Sequence, residues 1–306
     1  MVSPEPGDTV PKVIMGYAID RFSICSSQYF IISSGRTGHV DPVTGNYAFM
    51  RRGLCDRMDK IIKITLGLFI LILVAFTATA AYNAYVETAY RNSLASTYSY
   101  TLTLTTDSRL DNVTLFIPVP DDRAGNSPIV EQYSSHQIPQ IPGSWKTTLF
   151  GTGKATLVKI GAASIIPPDG TSAADPFTIS VSTQVPSGTI IDTRDPVEKS
   201  AIFRPVQDLL NTSCTGNMGT VQGSPGPECF TYDTALFADY QTDPNATVII
   251  KSALTGTNSW KISGPESNEF QTDISVTMHG QQHGWAVAQG YLEEGMGAYD
   301  NPVLPP

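Results

Sequence analysis

From Ile64 to Tyr82 the chain runs through 19 residues without a charged side chain, ITLGLFILILVAFTATAAY, close to the ~20 that an α-helix needs to cross a hydrocarbon core. Helical spacing continues beyond it. Tyr82, Tyr85, Val86, Ala89, Tyr90, Ser93 and Leu94 follow the i, i+3, i+4, i+7 pattern, and Glu87 stands one turn before Arg91, a favourable pair. The pattern predicts a signal-anchor transmembrane helix with a helical stalk over residues 58–96. Arg51, Arg52, Arg57, Lys60 and Lys63 crowd its N-terminal flank against Asp56 and Asp59. The bias of basic residues toward the cytoplasm then places the N-terminus inside and the rest of the chain outside. The lipid bilayer is thus a partner through residues 64–82, with Tyr82 and Tyr85 at headgroup level. The same residues admit a second reading. Translation from Met58 makes Ile64 to Phe76 the apolar core of a signal peptide and Ala78-Thr79-Ala80 its cleavage site, releasing a secreted protein near Ala80. The continuing helical period favours the uncleaved anchor.

Past the stalk the period changes to two. Thr97 to Thr106, TYSYTLTLTT, sets Tyr98, Tyr100, Leu102 and Leu104 on one face and hydroxyls on the other, the mark of a half-buried strand. Val113–Val119, Thr147–Phe150, Ala155–Ile160, Phe177–Val185, Thr247–Leu254, Trp260–Ile262, Asp273–Met278 and Trp285–Tyr291 are likewise rich in β-branched and aromatic residues. Turn-forming clusters separate them at Gly151 to Lys154, Pro167 to Gly170, Pro186 to Gly188 and Gly280 to Gly284. Two stretches interrupt the strands. Residues 120–143 are a Pro-containing connection suited to covering a sheet edge, and 192–245 holds one helix-capable patch, Pro196 to Leu210. The expected fold is mainly β, an N-terminal transmembrane helix followed by an extracytoplasmic antiparallel β-sandwich of one or two domains over residues 97–306. Residues 1–57 read as a disordered cytoplasmic tail.

Charge supports two compartments. Residues 1–63 hold 8 basic and 6 acidic groups, and the remaining 11 basic and 22 acidic groups make the outer part strongly acidic. A net charge of −9 argues against nucleic acid as a partner, because phosphate affinity rests on Lys and Arg. Only 15% of residues are charged, and 60 Ser and Thr do much of the solvating instead.

Candidate chemistry is sparse. Cys214 and Cys229, with 14 residues between them on the outer side, predict a loop-closing disulfide worth about 3 kcal/mol in the chain-entropy model. Cys25 and Cys55 stay reduced in a cytosol. Asn112-Val113-Thr114, Asn211-Thr212-Ser213 and Asn245-Ala246-Thr247 are glycosylation acceptors, with Asn211 expected in a loop. His279 and His283 share a face if helical and are the candidate metal ligands, but Gly280 and Gly284 favour a hairpin. Asp121-Asp122 and Asp192 to Asp195 read as solvated loop charges rather than calcium ligands. Phe150-Gly151-Thr152-Gly153-Lys154-Ala155 resembles the end of a phosphate-binding loop but lacks its first glycine and its hydroxyl. Trp145, Trp260 and Trp285 are read as buried aromatics, with a sugar-stacking platform as the alternative. No catalytic residue and no cofactor follows from these patterns.

The runs YSYTLTLTT, LDNVTLFIPVP (Leu110 to Pro120) and ISVTMHGQQHGWAVAQGYLEEG (Ile274 to Gly295) resemble, within residues 60–300, uncharacterised membrane-anchored surface proteins of methanogenic archaea. The resemblance implies an outward β domain in a cell whose surface carries N-glycans. It assigns no activity and no functional residue. The expected role is structural or recognition at the cell surface, with self-association or cell-envelope partners. A pilin-like filament subunit, suggested by Arg51-Arg52-Gly53 before the apolar run, and a secreted or anchored polymer-acting hydrolase are the alternatives.

Overall fold

A computed structural model describes residues 45 to 135, 138, 141 to 214 and 226 to 299, with side chains from Asp59 onward. The tail of residues 1–44, with Cys25, lies outside the described residues, as do the side chains of Arg51, Arg52 and Cys55. Helix α1 (Gly45–Ser93) includes the segment Asp59–Ser93, long and apolar enough to cross a membrane. No side chain from Asp59 to Tyr85 is buried against protein. Burial begins where the apolar run ends, with Val86 and Tyr90. Tyr90 meets Trp260 edge to face at 5.6 Å, and the Lys261 backbone N–H donates to Ser93 Oγ at 2.8 Å. The last turns of the helix are therefore seated on the β domain, and the first strand starts one residue later.

From Ile70 onward the chain is one compact unit, so the β region is a single domain. Its strands are β1 (Ala95–Thr106), β2 (Leu110–Val119), β3 (Lys146–Gly151), β4 (Thr156–Ile165), β5 (Phe177–Pro186), β6 (Gln207–Thr212), β7 (Glu228–Gln241), β8 (Thr247–Lys261), β9 (Pro265–His279) and β10 (Gln282–Gly297), with short helices α2 (Pro128–Ser134) and α3 (Pro196–Lys199). Hydrogen bonding runs through one sheet in the order β3-β4-β2-β7-β10-β9-β8-β1-β5, with β6 beside β7. Every named pairing is antiparallel. The long strand β7 serves two partners on one edge, β2 near Phe237 and β6 near Phe230. The antiparallel β expectation is met, but a single continuous sheet replaces two hydrogen-bonded separately. This sheet curls: α2 packs against β3 from one edge and against β1 and β5 from the other.

Three local expectations need correction. The patch Pro196 to Leu210 forms only the four-residue α3, which ends as the Ser200 backbone turns extended, and then enters β6; Pro205 in any case bars a helix through to Leu210. The Pro167 to Gly170 cluster does not close a hairpin, since β4 and β5 lie far apart in the sheet order. Strand β7, central to the sheet, arises inside the stretch read as a connection. The connection of residues 120–143 does cover the sheet, through α2, whose first turn is capped by Ser127 Oγ accepting from the Val130 N–H at 3.1 Å.

The concave face holds the core. Tyr98, Tyr100, Leu102 and Leu104 of β1 are buried there as their alternation predicts, with Leu236 and Tyr240 of β7, Leu254 of β8 and Ile274 of β9. Two glycines make room for rings on the paired strand: Gly256 opposite Phe270 and Gly290 opposite Tyr232. A Cβ at either position would fall inside the facing ring. Tyr232 then reaches Thr272 Oγ1 at 2.7 Å through its hydroxyl, which satisfies a buried polar group that would otherwise cost free energy.

Candidate functional site

The convex face carries a row of aromatic rings that the core does not use. Phe116 pairs directly with Phe237, and Phe237 with Trp285, across β2, β7 and β10. Phe150 of β3 extends the row. Ring centroids are 5.5 Å apart for Phe150 and Phe116, 5.6 Å for Phe116 and Phe237, and 5.6 Å for Phe237 and Trp285, all edge to face. That spacing is favourable for ring quadrupoles. Lys159 Nζ stands 5.7 Å from the Phe116 centroid, and His283 joins at 6.5 Å from Phe237 while its Nδ1 lies 3.1 Å from Asp239. Trp285 remains 64% exposed and Phe150 44%, so two rings in the ladder present much of their surface to solvent.

The ladder continues along β10. Val287, Gln289, Tyr291 and Glu293 follow Trp285 on the same face, facing Ala235, Asp233, Thr231 and Cys229 of β7. Gln289 and Tyr291 floor a groove of about 470 Å³ whose walls include Asp208, Asp233, Asp273 and Ser275. Burial pushes the Asp273 carboxyl up, and Lys251 opposes that shift. The arrangement sets flat apolar rings beside polar acceptors on one open strip of sheet.

At the end of the domain nearest α1 the surface differs. A cavity of about 240 Å³ is lined by Tyr90, Thr193, Asn258, Asn268 and Tyr299, among others. Its polar groups are satisfied internally: Asn258 Nδ2 donates to Ile191 O at 2.8 Å and to Asn268 Oδ1 at 2.9 Å, and Arg194 lies 4.0 Å over the Tyr299 ring. Burial acts to raise the Asp192 carboxyl, but Lys199 at 2.9 Å and the N–H groups of Arg194 and Asp195 outweigh it and hold it below its ordinary value. Glu294 has the opposite fate. Burial, with Glu228, Asp195 and Asp192 around it, pushes its carboxyl up to about 7.

No protein-family model, curated protein or solved structure matches this chain. Its chemistry therefore has to be read from its own residues.

The predicted site residues separate in space. Cys214 and Cys229 are bonded, with Cα atoms 5.2 Å apart. Asn112 is exposed in β2 with φ 53°, and Asn245 is exposed in the turn between β7 and β8, its N–H held by Asp243 Oδ1. Asn211, expected in a loop, sits in β6 opposite Phe230, though exposed. His279 and His283 flank the β9–β10 hairpin at Gly280 and turn to different neighbours, Thr247 and Asp239. Neither falls within a three-ligand group among the described residues. Gly151 to Ala155 is the β3–β4 turn, with Gly153 at φ 75°. Asp121 is no solvated loop charge: at 1% exposure it accepts from the Thr156 N–H at 2.8 Å and faces Arg204 at 3.6 Å.

The three tryptophans divide. Trp145 and Trp260 are buried, whereas Trp285 is exposed, because it stands on the outer parity of β10 while Ala288 and Gly290 take inner positions, Gly290 under the Tyr232 ring. The sequence reading missed Phe116, Phe150 and Phe237. A signal existed for Phe116 and Phe237: each is a ring at the parity opposite to the aliphatic residues of its own strand, Leu115 and Ile117 in one case, Leu236 in the other.

Proposed function

We propose that this is a single-pass, membrane-anchored surface protein whose β domain stands outside the cell as a recognition module. The observation that carries this reading is the aromatic ladder of Phe150, Phe116, Phe237 and Trp285 on the convex face, exposed at Phe150 and Trp285. A row of rings of which Trp285 and Phe150 stay exposed is unusual where a curled sheet has a concave face available to bury them. The ligand class it suits is a carbohydrate polymer of the cell envelope, whose flat C–H faces stack on rings while its hydroxyls meet carboxylates and amides such as Asp233, Asp273 and Gln289. Anchoring rests on α1, whose apolar side chains find no protein to cover them and are matched by lipid. The basic flank before Ile64 supports an inward N-terminus.

Two measurements test this. Protease shaving of intact cells should release fragments from beyond Tyr82, and protection of that region would overturn the topology. The full chain in nanodiscs should bind envelope polysaccharide and lose at least tenfold in affinity on Trp285→Ala. Unchanged binding would remove the ladder from the function.

A further inference from the structure

The outer row of β10 that begins at Trp285 ends at Glu293, directly opposite Cys229. The Cys214–Cys229 bond found there is asymmetric. Cys229 is 1% exposed, while Cys214 is only half-buried. The Tyr291 hydroxyl donates to Cys229 Sγ at 3.2 Å. A carboxylate oxygen of Glu293 lies within 4.8 Å of both sulfurs. Glu293 is itself 6% exposed, and its Oε1 is buried without a hydrogen-bond partner.

An acceptor buried with nothing to accept calls for a physical reason. A disulfide has no hydrogen to offer it. A thiol has one, so reduction of the pair supplies the donor that Glu293 lacks. We infer that Cys214 and Cys229 form a thiol–disulfide exchange site, in which Glu293 and Tyr291 serve the buried sulfur and the substrate is a free thiol. This reading is independent of the aromatic ladder and of the membrane topology.

The step balances as follows. An incoming thiolate attacks Sγ of Cys214, the less buried of the two residues, and forms a mixed disulfide with it. The bond between the two protein sulfurs breaks, and its electron pair leaves on Cys229, where the Tyr291 O–H stabilises the thiolate, which then takes up the proton released by the first substrate thiol. A second substrate thiolate attacks the substrate sulfur of the mixed disulfide and frees Cys214, which takes up the second proton. Two substrate thiols are oxidised to one disulfide and the protein disulfide is reduced to two thiols. In reverse, the Cys229 thiolate attacks the mixed disulfide at Cys214, releases the substrate thiolate and closes the bond. Exchange rates depend on which sulfur is reached and on how well the leaving thiolate is stabilised, and these neighbours supply both conditions.

The test uses the full chain in detergent micelles, equilibrated against glutathione redox buffers, with the state of each cysteine read by differential alkylation and peptide mass spectrometry. Half-reduction of wild type should need a reduced-to-oxidised glutathione ratio at least fivefold lower than Glu293→Leu, in which the unpartnered acceptor is gone. Glu293→Gln and Tyr291→Phe should each slow reduction about tenfold. Equal midpoints for wild type and Glu293→Leu would overturn the inference and leave a plain crosslink. Should Glu293→Leu fail to fold, the rates decide alone: if Glu293→Gln and Tyr291→Phe are reduced as fast as wild type, the site is refuted.

Discussion

Two columns of aromatic rings cross this sheet, one on each face, and their environments are opposite. On the concave side Phe270 and Tyr232 lie over Gly256 and Gly290, sealed from solvent, and Tyr232 closes a hydrogen bond to Thr272. On the convex side Phe150, Phe116, Phe237 and Trp285 touch one another edge to face and leave Trp285 largely exposed. Residue type does not separate the two sets. What separates them is the face that strand alternation gives each ring: on the inner face a ring enters the core, over a glycine for Phe270 and Tyr232 and beside Leu254 for Tyr100, whereas on the outer face the rings stand against one another.

The contrast can be broken from either side. The largest effect belongs to the concave column. Phe270→Ala, at a fully buried site, should cost about 3–5 kcal/mol in chemical denaturation, and a loss below about 1 kcal/mol would show that the concave face is not the core. Next comes Gly290→Ala. The added methyl must displace the Tyr232 ring, so a loss of about 1–3 kcal/mol is expected, and combining it with Tyr232→Leu should recover part of it. The convex column should respond weakly in stability. Trp285→Ala removes one edge-to-face contact, about 0.5–1.5 kcal/mol, and its main effect should be on ligand binding.

The last test addresses the acidic end near α1. A folded-state pKa of about 7 for Glu294, against an ordinary 4.5, means the folded chain holds the proton more tightly than the unfolded one. That contribution is fully present below about pH 4.5 and is lost as pH rises toward and through 7. The denaturation midpoint of wild type should therefore fall between pH 5 and 7.5 by more than that of Glu294→Gln. Parallel falls would place the titration elsewhere.

How much of this was legible depended on whether a residue's role is local. The helix and the strand alternation of β1 were readable because side-chain period alone carries them, and the β3–β4 and β9–β10 turns because glycine marks them. The Cys pair was readable from its spacing. Strand β7 was not, because Asp233 and Asp239 interrupt its apolar character on the outward parity while its inner residues pair with strands distant in sequence. The ladder was hidden for a related reason: Phe116, Phe237 and Trp285 become neighbours only through the registers of β2, β7 and β10. Glu293 beside the disulfide depends on the same register.

The amino-acid sequence by itself determined an apolar helix with a basic flank, the change of period after the stalk, and an antiparallel β domain of low charge, since these follow from the order of side chains along a short stretch. Only the tertiary structure decided that the strands join in one curled sheet, that Trp145 and Trp260 go in while Trp285 stays out, and that Glu293 stands by Cys229. Those outcomes depend on which strands pair and which face the curl encloses, a choice made by contacts between residues tens to more than a hundred positions apart.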